Sequence, residues 1–141
     1  MRVSSLGVAR PAYYDRNAAT GLANYAAGTV APHVLTTRFT VTCAAGKKIN
    51  LEYCRANTKR DAVATALATV YVVFTVTSGA STADVVYIMF NDNTLGFLQS
   101  QVVPSGVSLY AGETLTAQTL DNCTGGTISY ALSSKYVSYD A

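Results

Sequence analysis

The feature that most constrains this chain is the regular alternation over residues 107–130, VSLYAGETLTAQTLDNCTGGTISY. Val107 and Leu109 alternate with Ser108 and Tyr110. Leu115, Ala117 and Thr119 alternate with Thr114, Thr116 and Gln118. A period of two puts successive side chains on opposite faces of an extended backbone, so such segments are strands with one buried face. Ala111-Gly112-Glu113, Asp121-Asn122 and Gly125-Gly126 punctuate the pattern with turn residues. Ile128, Tyr130 and Leu132 then resume it.

The same reading extends from Thr36 onward. Phe39, Val41 and Cys43 alternate with polar residues, residues 44–48 read as a turn, and Ile49, Leu51 and Tyr53 alternate again. If residues 36–45 and 49–54 pair directly as a hairpin, Cys43 lies opposite Asn50; a connection between two sheets would change that. Residues 55–62, RANTKRDA, read as a charged loop, and residues 63–67 fit either a strand or a helical turn. The runs VYVVFTV (70–76) and VVYIMF (85–90) are continuously apolar and β-branched or aromatic, which predicts strands buried on both faces. A further apolar segment covers 95–103, and KYVSY (135–139) closes the series, with Tyr136 on one face and Val137 and Tyr139 on the other. About eight strands with turns every 8–12 residues predict an all-β fold, a single antiparallel β-sandwich or jelly roll over residues 36–141.

Residues 1–35 read as an extended N-terminal arm. The segment mixes small residues, glycines, Pro11, Pro32 and three tyrosines without a sustained period. A short helix over 18–27 is weakened by Gly21 and Gly28. Such a segment cannot offset its own ordering entropy, so it needs a surface to lie on, and neighbouring chains are favoured for that role. Tyr13, Tyr14 and Tyr25 are its candidate anchors, each offering apolar area and a hydroxyl.

Charge is sparse and polarised. Only 13% of the 141 residues are charged, against roughly 25% in an average soluble domain. A surface this poor in charge predicts burial in an assembly. Residues 1–60 carry nine Lys/Arg against two acids, a balance of +7; residues 61–141 carry one lysine against six acids, a balance of −5. Halves of opposite sign suit a subunit whose basic part lies on an acidic protein neighbour, including another copy of itself. A nucleic-acid partner is disfavoured, because it calls for a larger net charge than +2 and for aromatics interleaved with the basic cluster. No apolar run reaches the roughly eighteen residues of a membrane span, and the N-terminus shows no secretory h-region and cleavage site. Three cysteines, Cys43, Cys54 and Cys123, an odd count without a secretion signal, read as reduced thiols acting as small apolar residues.

Sites of chemistry are not apparent. There is no Gly-x-Ser-x-Gly elbow, and His33 is the only histidine. Ala45-Gly46-Lys47-Lys48 lacks the upstream glycine and the Ser/Thr of a phosphate-binding loop. Asn91-Asp92-Asn93 and Asp121-Asn122 read as turn residues that hydrogen-bond their own backbone, not as a calcium loop. The expectation is no catalysis, no cofactor and no metal.

The opening SSLGVARPAYYDRN, the segment TRFTVTCAAGKKINLEYC and the closing LYAGETLTAQTLDNCTGGTISYALSSKYVSYD together resemble small virion proteins of tailed bacteriophages, sandwich or jelly-roll proteins that decorate or cement the capsid. The resemblance implies a non-enzymatic shell component on the capsid surface, made in the host cytoplasm. Its partners would be the major capsid protein or other virion proteins and further copies of itself, with a trimer favoured. The candidate partner-binding residues are Arg2, Arg10, Tyr13, Tyr14, Arg16 and Tyr25 on the arm, and Arg55, Lys59 and Arg60 in the basic loop. The alternative is a tail, fibre or head-fibre module that binds a host receptor or glycan on an aromatic platform of Tyr87, Phe97 or Tyr110.

Overall fold

The computed structural model describes residues 19–30, 32–65, 69–91, 93, 95–96 and 98–141, with side chains from residue 24 onward. Among the described residues, nine strands form two antiparallel sheets: β1 (Ala19–Thr29), β2 (Thr36–Thr42), β3 (Lys47–Ala62), β4 (Val70–Ser78), β5 (Ser81–Phe90), β6 (Leu98–Pro104), β7 (Ser108–Tyr110), β8 (Thr114–Asp121) and β9 (Thr127–Asp140). One sheet has the order β1-β9-β3-β6, with β7 also on β3; the other has the order β2-β8-β4-β5. The expected all-β sandwich is therefore the observed architecture.

Alternation decides which side chains enter the core. In β8 the inward set is Leu115, Ala117, Thr119 and Asp121; in β9 it begins with Ile128, Tyr130, Leu132 and Ser134. In β3, Ile49 and Leu51 face inward, a bulge at Glu52 shifts the phase by one residue, and Cys54, Ala56, Thr58 and Arg60 continue the inward row. Without that bulge the second half of β3 would present its other charged residues to the core. Phe39 and Phe74 meet edge-on at the centre of the four-stranded sheet, with ring centroids 6.1 Å apart.

Several expectations are corrected. β2 and β3 do not form a hairpin: β2 pairs with β8 and β3 pairs with β9. The turn after Cys43 carries the chain from one sheet to the other, and Cys43 N–H donates to Glu113 O at 2.9 Å. The charged segment 55–62 is the second half of β3, because its inward positions hold the small residues Ala56 and Thr58 and its charges mostly point out. Residues 19–29 are a strand on β9, not a helix; Gly28 packs directly against the Tyr130 ring, where a Cβ would sit 3.2 Å from the hydroxyl. Residues 1–18 lie outside the described residues. The runs 70–76 and 85–90 are each buried on one face only. Val70, Val72 and Phe74 are fully enclosed, whereas Tyr87 and Met89 are 58% and 50% exposed.

All three cysteines are buried and free. Burial pushes the Cys54 thiol up to about 12 and also raises Cys43, so both are apolar fillers.

Phe74 has no exposed surface and joins the two sheets' packing at the core centre. Phe74→Ala is expected to lower the unfolding free energy by about 3–5 kcal/mol in urea denaturation. A loss under about 1 kcal/mol would contradict this packing.

Candidate functional site

The five-stranded sheet turns one face to the core and the other outward. Register places specific side chains in rows across that outer face. Tyr25 on β1 is opposite Ser133 on β9, which is opposite Arg55 on β3, which is opposite Val102 on β6. Two rungs further along, Thr29, Ser129, Lys59 and Leu98 form a parallel row. Tyr25, Leu98 and Val102 are 66%, 61% and 51% exposed. Three of the residues singled out in the sequence, Tyr25, Arg55 and Lys59, thus share one surface with two exposed aliphatic side chains. Lys59 Nζ lies 3.4 Å from Asp61 Oδ1, and the Ser129 hydroxyl donates to the other Asp61 oxygen. At the second row is a shallow cleft of about 200 Å³, its lining including Asn57, Lys59, Leu98, Ser129 and Ala131.

Arg2, Arg10, Tyr13, Tyr14 and Arg16 lie outside the described residues. Arg60 does not belong to the basic surface. Lys59 and Asp61 point out, so period two turns Arg60 inward, where it is 2% exposed. Its Nη1 donates to Cys123 Sγ at 3.1 Å. Asp121, fully buried on β8, lies in the same interior cluster. Burial raises the Asp121 carboxyl above its ordinary value, while the Arg60 guanidinium, the Cys123 backbone N–H and His33 pull it back down. His33, at a φ of 57°, donates its backbone N–H to Asp121 O at 2.6 Å. This cluster pins the entry into β2 and the end of β8 to β3. Sequence reading misses it because a charged segment looks like a loop; the available signal is the small inward row Cys54, Ala56 and Thr58 leading to Arg60.

A second outward group lies at the other end of the same sheet. Lys48, Tyr110 and Tyr139 are on one face, and the Lys48 ammonium sits 5.0 Å from the Tyr110 ring centroid and 5.9 Å from that of Tyr139. Ser108 donates to Asn50 Oδ1 at 2.9 Å beside them. Tyr110 is 56% exposed. Tyr87, the other described member of the expected aromatic platform, is on the opposite sheet, and Phe97 lies outside the described residues. Among the described residues no group of three or more His, Cys, Asp or Glu side chains is placed to hold a metal ion. No described helix is long and apolar enough to cross a membrane.

No protein-family model and no curated protein matches the chain. Among solved structures, it is similar to the structure of infectious bursal disease virus Gx strain, with 11% identity and a TM-score of 0.42 over 86% of this chain and 33% of that one. It is similar to the Gt strain structure at 11% identity and a TM-score of 0.41 over 87% of this chain and 32% of that one. The chain spans about a third of the length of these structures' chains. A likeness at this level carries no argument about function.

Arg60→Met removes the cation that faces a buried carboxylate. It is expected to cost about 3 kcal/mol or more in urea denaturation, and Arg60→Met with Asp121→Asn is expected to recover part of that loss. The pH dependence of Asp121 has a definite sign. Its folded-state value is raised, so the native protein holds this proton more tightly than the unfolded chain. Its contribution is full below the ordinary aspartate value of 3.8 and is lost as pH rises through the raised value. The stability difference between wild type and Asp121→Asn is expected to move against wild type over that window and then level off. A difference that moves the other way would show that Arg60 outweighs burial.

Proposed function

We propose that this chain is a viral structural protein, a capsid decoration or cement protein that ties shell subunits together without catalysis. The observation that carries the proposal is the outer face of the five-stranded sheet. It sets Tyr25, Arg55 and Lys59 among exposed Leu98 and Val102, an aromatic and a basic pair beside aliphatic area. Aromatic and arginine side chains with apolar neighbours are the composition of protein-binding centres, and Arg55, beside the Lys59–Asp61 pair, favours an acidic group on the partner. The arm's Arg2, Arg10, Tyr13, Tyr14 and Arg16 extend the same chemistry in sequence. The mechanism is mechanical. Buried apolar area stabilises at roughly 25 cal/mol per Å² before entropy losses, and repetition over a shell multiplies weak contacts.

The test uses particles of the encoding virus that lack this protein. Tyr25→Ala, Arg55→Glu and Lys59→Glu together are expected to lower occupancy roughly tenfold or more, with an unchanged unfolding midpoint. Deleting residues 1–18, which spares β1, is expected to weaken retention in the same assay. Wild-type occupancy by both variants would overturn the proposal.

A second reading, host-receptor or glycan binding by a tail or fibre module, is favoured by the exposed Tyr110 ring beside Lys48 and Asn50. Binding of the isolated protein to host cells that is lost in Tyr110→Ala would replace the first reading with this one.

A further inference from the structure

Each sheet of the sandwich has two edges. The five-stranded sheet ends in β1 on one side and in β6 and β7 on the other; the four-stranded sheet ends in β2 and β5. An edge strand presents unpaired N–H and C=O groups and templates a further strand unless charge, proline or irregularity blunts it. β6 ends at Pro104 and has the polar centre Gln99-Ser100-Gln101. β2 contains Arg38 and a register shift between Thr37 and Phe39. β1 contains Gly21 and Gly28 and a register shift near its start. β5 has its blunting devices at one end, Asp84 and a bulge at Val85. Beyond that bulge the strand runs Val86, Tyr87, Ile88, Met89, Phe90, with no charge, proline or glycine.

We infer that β5 is a self-association edge, and that its partner is β5 of a second copy of this chain, paired antiparallel about a two-fold axis at Ile88. In that register Ile88 faces Ile88, Val86 faces Phe90, and Tyr87 faces Met89 of the second copy. Every position from Val86 to Phe90 sets an apolar residue against an apolar residue. A two-fold contact uses the same patch on both copies, and of the edges β1, β2, β5 and β6 only β5 offers an uninterrupted apolar run, so a second β5 is the occupant. Charge agrees with it: the nearest ionisable carboxylate on the strand, Asp84, lies beyond the bulge and outside the paired stretch, where it accepts a hydrogen bond from the Thr75 hydroxyl at 3.0 Å.

The outward side chains add to the backbone pairing. Tyr87 and Met89 are exposed, and they lie beside Val73 and Tyr71 on β4, with the Tyr71 and Tyr87 ring centroids 5.7 Å apart. Leu120 on β8 is opposite Tyr71. Pairing would join the rows Leu120, Tyr71, Met89 and Tyr87, Val73 of the two copies into one apolar strip across both four-stranded sheets. Thioether and aromatic ring would meet at the junction, a favourable contact. A pairing this short buries less than the roughly 800 Å² per partner of a standard stable interface, so the dimer forms in a concentration-dependent way. The two-fold symmetry makes the unit a dimer where the sequence resemblance favours a trimer.

The proposal concerns the isolated chain, so it stands or falls separately from capsid binding. Sedimentation across a wide concentration range is expected to show a monomer–dimer equilibrium. Tyr87→Lys with Met89→Lys is expected to raise the dissociation constant roughly tenfold or more while the circular dichroism and unfolding midpoint stay unchanged. Register is read by oxidative cross-linking of two single variants, Tyr87→Cys and Met89→Cys. A mixture of the two is expected to cross-link, and each alone is not; the three native thiols are buried and do not contribute. A monomer throughout, an oligomer indifferent to the lysines, or self-linking of Tyr87→Cys alone would overturn the inference.

Discussion

The structure depends first on the ladder between β3 and β9. It runs from Lys47 opposite Asp140 to Ala62 opposite Thr127, the full length of both strands. Every other strand of the five-stranded sheet hangs on one of these two: β1 on β9, and β6 and β7 on β3. The ladder has to bury one face along its whole length, yet β3 changes phase partway. The bulge at Glu52 reconciles the two by keeping Ile49 and Leu51 inward before it and Cys54, Ala56 and Thr58 inward after it. Lys135 answers the bulge from the opposite strand, with its Nζ 3.5 Å from Glu52 Oε2. That exposed pair contributes little by itself; the phase correction is what matters.

The second sheet closes the core but not itself. Val70, Val72 and Phe74 on β4, Val86, Ile88 and Phe90 on β5, and Leu115 and Ala117 on β8 pack against Leu51, Ala56, Leu109 and Leu132 of the first sheet. The outward residues of the same strands remain partly or largely in water, including Tyr87 and Met89. Among the described residues, exposed apolar area includes the outer face that groups Tyr25, Arg55, Lys59, Leu98 and Val102, and the edge formed by β5. They lie on different sheets, so the proposed pairing at β5 would leave the other face open to a different partner.

Much of the fold is legible in the sequence. Alternation in residues 107–132 and 36–54 is a direct signature of strands with one buried face, and the structure has them. What is not legible comes from pairing. Nothing local in Thr-Cys-Ala-Ala-Gly-Lys-Lys distinguishes a hairpin turn from a step between sheets, because both are short and polar. The charged segment 55–62 looks like a loop when its polarity is summed and not read by alternate positions. Residues 19–29 have small side chains and no apolar period, so only the exposed flank of β9 makes them a strand. Composition places Arg60 with Arg55 and Lys59; its burial follows from one-residue parity, which also brings it to Asp121 and Cys123. The apolar runs 70–76 and 85–90 overstate their burial, because β-branched residues suit a strand whether or not its second face is covered.

The sandwich core is built within one chain, and its outer face is where we propose that partners engage. Hydrogen–deuterium exchange on the free protein and on the particle-bound protein tests it most directly. The middle of β3 and β9 is expected to exchange equally slowly in both, with protection added on binding along Leu98–Pro104 and around Arg55 and Lys59. Protection that appears in the β3–β9 ladder only on binding, with none gained along β6, would contradict it.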